Sequence, residues 1–418
     1  MAELLSISEP GKPPQDKPDL TAFLSLGFRP LYIAGCAWAL ISIGIWIYAP
    51  GWLSTPLGGV AWHAHEMLWA FIGTIAVAFL LTASATWTGF NPLKGWPLAG
   101  LAVLWLIARA GFLVGGETAF HIACASELAF FVISSACLLR VMIKGKSRRN
   151  YGVPFMLLAL GVADGLFLRA ALRGDYMALL HHFDLGLICM AMIALLIARR
   201  VIPFFSMRMV PGLEIPMLVR SGHVQLGLSA LAILLGLAGQ GAAMGVALFL
   251  VGLVSLWQLG RWKPLAVLRK PMLWILYLGY GAIGVGLMVA AAQFSGVSSG
   301  VLARSATHVH LIGMGGFAVL IIGMVTRTAL GHLGRPLALD GSMLLSYYLM
   351  IAAVVLRLAA LWPSSATLHF LHAAALSWMA CMALYLWRFV PMLIRPRYTA
   401  PPRPAATPPA APLKPRAG

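Results

Sequence analysis

Eight of the eleven histidines in this 418-residue chain stand as four close pairs: His63 and His65, His181 and His182, His308 and His310, His369 and His372. Neutral imidazole binds haem iron and copper well. An ionisable group inside an apolar segment is costly, so it is a functional candidate by default. Spacing sorts the pairs. At about 100° per helical residue, partners two apart point about 200° apart. His63 and His65 therefore suit two separate centres, as do His308 and His310. His181 and His182, about 100° apart, can lean toward one shared ion, and His369 and His372 lie on one helix face. Two helices presenting histidines across a gap would form a bis-histidine haem site. On this reading His63, His65, His308 and His310 are the cofactor ligands, and His181, His182, His369 and His372 the ligands of a further metal. A lone histidine such as His121 or His223 is better explained by an interfacial position or a hydrogen bond to a neighbouring helix. Three helices each carrying a pair at similar depth are not explained that way.

Two acids accompany the pairs. Glu66 follows His65 directly, and Asp184 lies two residues after His182. They are the catalytic candidates, able to hold a histidine tautomer or relay protons; the structural alternative pairs them with Arg169, Arg173 or Arg304. Gly73, Gly313, Gly315 and Gly316 would allow a flat macrocycle to approach the backbone, although glycines also serve ordinary helix packing. The five cysteines are scattered without a CxxC pair, which points to packing rather than to a disulfide frame or a zinc site. With carboxylates unclustered in sequence, iron–sulfur, zinc-thiolate and calcium sites are disfavoured.

The elements that must position these residues are membrane helices. The chain is 61% hydrophobic and 10% charged, with a mean hydropathy of +0.88, outside the range of soluble domains. Apolar stretches able to cross about 30 Å of hydrocarbon fall near 28–48, 62–84, 95–115, 121–142, 151–172, 178–201, 221–239, 241–259, 271–293, 302–325, 341–361 and 368–390. This predicts an all-α polytopic membrane protein of about twelve spans, in which the seventh and eighth are divided only by Gly239, Gln240 and Gly241. Residues 1–27 read as a polar N-terminal tail, 28–395 as the helical domain, and 396–418 as a Pro/Ala/Arg-rich tail expected to be disordered. The start lacks the pattern of a cleaved secretory signal. The net charge of +18 sits in short clusters between spans, which favours membrane loops and argues against a nucleic-acid partner. With both termini cytoplasmic, 25 of the 30 lysines and arginines fall on the inner side, the bias expected of a correct orientation. Nine histidines then gather near the outer face; only His223 and His332 do not.

The strings LGFRP from Leu26, WHAHEML from Trp62, LLTASATWTG from Leu80, RVIPFF from Arg200, HVHLIGMGG from His308 and MVTRTALGHLGRP from Met324 resemble the NnrS family. The resemblance implies a haem- and copper-containing protein of the bacterial inner membrane, linked to nitric oxide or to nitrosative stress. The haem is expected to be of b type, the bound ligand nitric oxide or another small diatomic, and the electron donor unknown. A weaker resemblance, to the haem-copper oxidases and nitric oxide reductases, implies a reductase-like oxidoreductase. Carried over, it gives His310 with His63 or His65 a low-spin haem, His308 an active-site haem, and His181 with His182 the second metal. In that superfamily the adjacent pair lies on the seventh helix; here it falls on the sixth. The alternatives are a transporter of a metal ion or small anion, and a haem or copper delivery factor.

Overall fold

The computed structural model describes residues 17–53 and 57–398. Within them the regular structure is helical and contains no strand. The long helices are α1 (Phe28–Tyr48), α2 (Gly59–Thr88), α3 (Trp96–Val114), α4 (Glu117–Lys144), α5 (Gly152–Arg173), α6 (Tyr176–Met209), α7 (Val219–Leu237), α8 (Gly241–Arg261), α9 (Pro271–Phe294), α10 (Ser305–His332), α11 (Gly341–Ala359) and α12 (Thr367–Leu393). Eleven of these are long and apolar enough to cross a membrane. The exception, α7, has 19 residues, about 28 Å of helix, but carries Arg220, His223 and Gln225 near its start.

Helix ends follow local chemistry. The Asp175 carboxylate accepts from the Ala178 amide at 3.0 Å to cap α6, and Asp340 does the same for Met343 at the head of α11. Gly239, at φ +71°, turns the chain between α7 and α8 in a conformation that suits glycine. The longest departure from the expected spans is α6, predicted over 178–201 but running to Met209. The apolar stretch ends at Arg199 and Arg200, whereas the helix continues past Pro203 because Ser206 bonds Tyr277 of α9 at 3.0 Å.

Three of the four helices that bear paired histidines form the middle of the bundle. α2, α6 and α10 each touch the other two, and α2 and α6 are the most enclosed of the spans. α12 packs on α1 and joins the last helix to the first. In both α2 and α10 the HxH sequence is followed at once by a π-helical stretch, Glu66–Gly73 and Leu311–Ala318, and the two stretches meet. Such wide turns are rare and are frequent at functional sites.

The expected N-terminal tail of 1–27 is partly built into the bundle. Leu20–Phe23 forms a helical turn and Leu24 is buried. Arg29 reaches the carbonyls of Leu393 (2.8 Å) and Arg395 (2.6 Å), so both ends of the helical domain are tied together. Most of the expected C-terminal tail, 399–418, lies outside the described residues, as do residues 1–16. The five cysteines are all free.

Candidate functional site

A cavity of about 600 Å³ opens among α1, α2, α6, α10, α11 and α12 at the histidine-bearing end of the bundle. His63, His181, His310, Asp184 and Arg357 supply its polar chemistry, and the rest of the wall is largely apolar, including Trp46, Met67 and Met314. The two ring nitrogens of His310 are differentiated. Nδ1 lies 2.6 Å from the Ala306 carbonyl oxygen; a carbonyl can only accept, so Nδ1 carries the proton and Nε2 keeps its lone pair. That is the arrangement found in metal-binding histidines. His63 stacks on Trp46, with ring centres 5.2 Å apart and planes 7° from parallel. Its buried Nδ1 has no hydrogen-bond partner among the described residues.

His308 faces away from this lining. Its Nδ1 meets the Gln293 carbonyl oxygen at 2.7 Å and its Nε2 meets Asp184 Oδ1 at 3.1 Å, so both nitrogens are engaged. Asp184 thus joins the cavity wall to His308. Among the described residues neither Glu66 nor Asp184 is paired with Arg169, Arg173 or Arg304, the partners the sequence suggested. Arg304 instead donates to the Leu361 carbonyl at 2.7 Å.

On the far side of α2, His65 enters a closed polar cluster. Its Nδ1 is 2.8 Å from Glu66 Oε1, while Nε2 is 3.1 Å from Asp164 Oδ1 and 3.4 Å from Glu127 Oε2. Arg109 bridges Glu66 (2.6 Å) and Glu127, and the Trp38 indole donates to Glu66. His65, Glu66 and Asp164 are 0% exposed, and Arg109 and Glu127 only 2%. Phe112, Phe167 and Trp69 surround the imidazole, with ring centres between 4.9 and 5.8 Å away. Charges so far from water persist only when paired.

The remaining expected ligands do not converge. His181 lines the cavity; His182 does not, and the ring centres of the two stand 5.7 Å apart. His369 and His372 are exposed, with His372 stacked on Tyr48. Among the described residues, only His65, Glu127 and Asp164 bring three His, Cys, Asp or Glu ligand atoms together. Of the four glycines thought to admit a macrocycle, Gly313 lines the cavity with open space beside it. Gly73, Gly315 and Gly316 are packed against Phe131, Ala282 and Ile283. Arg109, Glu127, Asp164 and Arg357 were not singled out from sequence. The available signal was their position as ionisable residues within apolar helices.

The bundle and its cavity define a polytopic α-helical membrane protein with a histidine-lined chamber at one end. The family model described as NnrS protein matches residues 22–397. The chain belongs to the NnrS family, and that membership marks it as a nitric-oxide-related membrane protein. A search among curated proteins returns no match.

Proposed function

We propose that the 600 Å³ cavity holds a haem between His63 and His310, and that the protein binds nitric oxide there in the inner membrane of a bacterium. The observation that carries this reading is the pair of imidazoles from two central helices in one apolar chamber, with His310 Nε2 unprotonated and His63 Nδ1 without a protein partner. The wall fits the group: it is mostly apolar, Gly313 leaves room at the backbone, and Arg357 offers a cation to an acidic substituent. Bound there, haem supplies an iron that takes diatomic ligands and exchanges electrons.

The protein's own part would be to offer the group two unlike imidazoles. The Ala306 carbonyl fixes His310 through its second nitrogen, while no such bond holds His63. Of the two residues that would hold the group, His310 would be the firmly oriented one and His63 the more readily displaced. No copper chemistry follows from His181 and His182, which gather no third ligand atom of the kinds above among the described residues.

Purified full-length protein, expressed with ample haem, should give a b-type pyridine haemochrome and a reduced spectrum that changes on adding nitric oxide. His310→Ala should lose the haem; His63→Ala should weaken its retention and open the iron to ligands. Haem-free wild-type protein, or haem unaffected by both substitutions, would overturn the reading. Consumption of nitric oxide with a reduced donor would identify turnover, and reversible spectral change alone would identify binding.

A further inference from the structure

The closed cluster around His65 holds more carboxylates than guanidinium groups, so either protons or a bound cation must balance its charge. Three carboxylates, Glu66, Glu127 and Asp164, face a single guanidinium, Arg109, so with a neutral His65 the set holds two surplus negative charges inside the bundle. Uncompensated charge at such burial costs several kcal/mol or more. One divalent cation cancels it.

The donor atoms stand where such a cation needs them. His65 Nε2 lies 3.1 Å from Asp164 Oδ1 and 3.4 Å from Glu127 Oε2. Ligands bound to a transition metal at about 2.0–2.2 Å are separated by roughly 2.8–3.1 Å in octahedral and roughly 3.3–3.6 Å in tetrahedral geometry. Glu66 takes the position of the outer carboxylate that commonly fixes a metal-bound histidine: it accepts from His65 Nδ1 at 2.8 Å, which turns the Nε2 lone pair toward the other two acids. Asp164 Oδ2 is buried and has no hydrogen-bond partner among the described residues. This atom is a second, independent observation that points to a ligand.

We infer that His65, Glu127 and Asp164 form a binding site for one divalent transition metal, distinct from the cavity beyond α2. One imidazole and two carboxylates suit manganese, iron(II) or zinc rather than a thiolate-seeking ion. The ligands come from α2, α4 and α5, and the Phe112, Phe167 and Trp69 rings close the centre. A closed centre that ties three helices is structural. The metal locks α2, and with it His63, against the neighbouring helices.

The test uses the full-length protein in detergent, loaded separately with manganese, zinc or cobalt and then washed with a weak chelator. Elemental analysis should find about one non-haem divalent ion per chain, and the cobalt form should show visible ligand-field bands. Asp164→Asn and Glu127→Gln should lose the ion. Glu66→Gln should weaken its affinity by about 10–100-fold and shift the cobalt bands, while His63→Ala should keep it whatever its haem content. Wild-type protein that retains no divalent ion and shows no cobalt bands overturns the site and implies that protons neutralise the cluster. So does an ion that survives both Asp164→Asn and Glu127→Gln. Should those two variants not fold, the wild-type cobalt spectrum and its response to Glu66→Gln decide between the same outcomes.

Discussion

His63 and His65 leave α2 in opposite directions: the first enters the open cavity beside Trp46, the second the sealed cluster beside Asp164. Two residues of one helix therefore serve two environments, one spacious and apolar, the other closed and charged. Their separation makes the two centres independently testable.

Filling the cavity at its one open glycine should block the cofactor without harming the fold. A Cβ at Gly313 would meet nothing within 4 Å, and replacing glycine within a helix removes an entropic cost of roughly 0.5–1 kcal/mol. Gly313→Phe should lose most of its haem absorbance at an unchanged or higher melting temperature. Haem content equal to wild type would place the cofactor elsewhere.

Among the described residues, Arg357 is the only lysine or arginine lining the cavity. If it meets an acidic substituent of the cofactor, Arg357→Met should speed haem loss to an apo-myoglobin acceptor, and Arg357→Lys should recover part of the difference. Partial recovery is expected because lysine keeps the charge but not the planar fork. Equal rates in all three proteins would remove Arg357 from cofactor binding.

Arg109 holds two carboxylates at once. Removing one partner from a buried ion cluster costs about 3–5 kcal/mol, so Arg109→Met should lower the melting temperature sharply. Adding Glu127→Gln, which removes one of the carboxylates left without its guanidinium partner, should restore part of the loss. A melting temperature within error of wild type for Arg109→Met would show that the cluster is not a stabilising network.

Outside the spans, Asp340 gives a pH dependence with a definite sign. Partial burial raises its carboxyl, but the Ser342 hydroxyl, the Met343 amide and the Arg388 guanidinium outweigh that effect and pull it down from 3.8 to about 2. A group depressed on folding stabilises the fold above its unfolded value and loses that contribution as pH falls through its folded one. The benefit should therefore be complete above 3.8 and fade toward 2. With the side chain about 40% exposed, the ion pair itself is worth no more than about 1 kcal/mol. Melting temperatures of wild type and Asp340→Asn should converge in that acid range; a gap that stays constant down to pH 2 would contradict the assignment.

Hydropathy located the helices well because a run of apolar residues must cover the hydrocarbon whatever its neighbours do. It fell short at the end of α6, where the helix runs on past the apolar stretch. Angular spacing correctly separated His63 from His65, since both lie on one helix. No periodicity links Arg109, Glu127 and Asp164: they sit on three different helices, and only tertiary packing brings them to His65. Gly315 and Gly316 illustrate the same limit, because the helix each one faces is not written in its local sequence.

The π-helical stretches after the two HxH sequences also fix an angular phase. Each wide turn accommodates more residues than an ordinary turn, so the histidines ahead of it are rotated relative to the remainder of their helix. Deleting one residue within Glu66–Gly73 or Leu311–Ala318 would regularise the hydrogen bonding and swing the preceding histidines by roughly 100°. In such a variant the helix could gain regularity while His63 or His310 turned away from its chamber. The orientation of these ligands is thus encoded in the length of the segment behind them as well as in their own side chains.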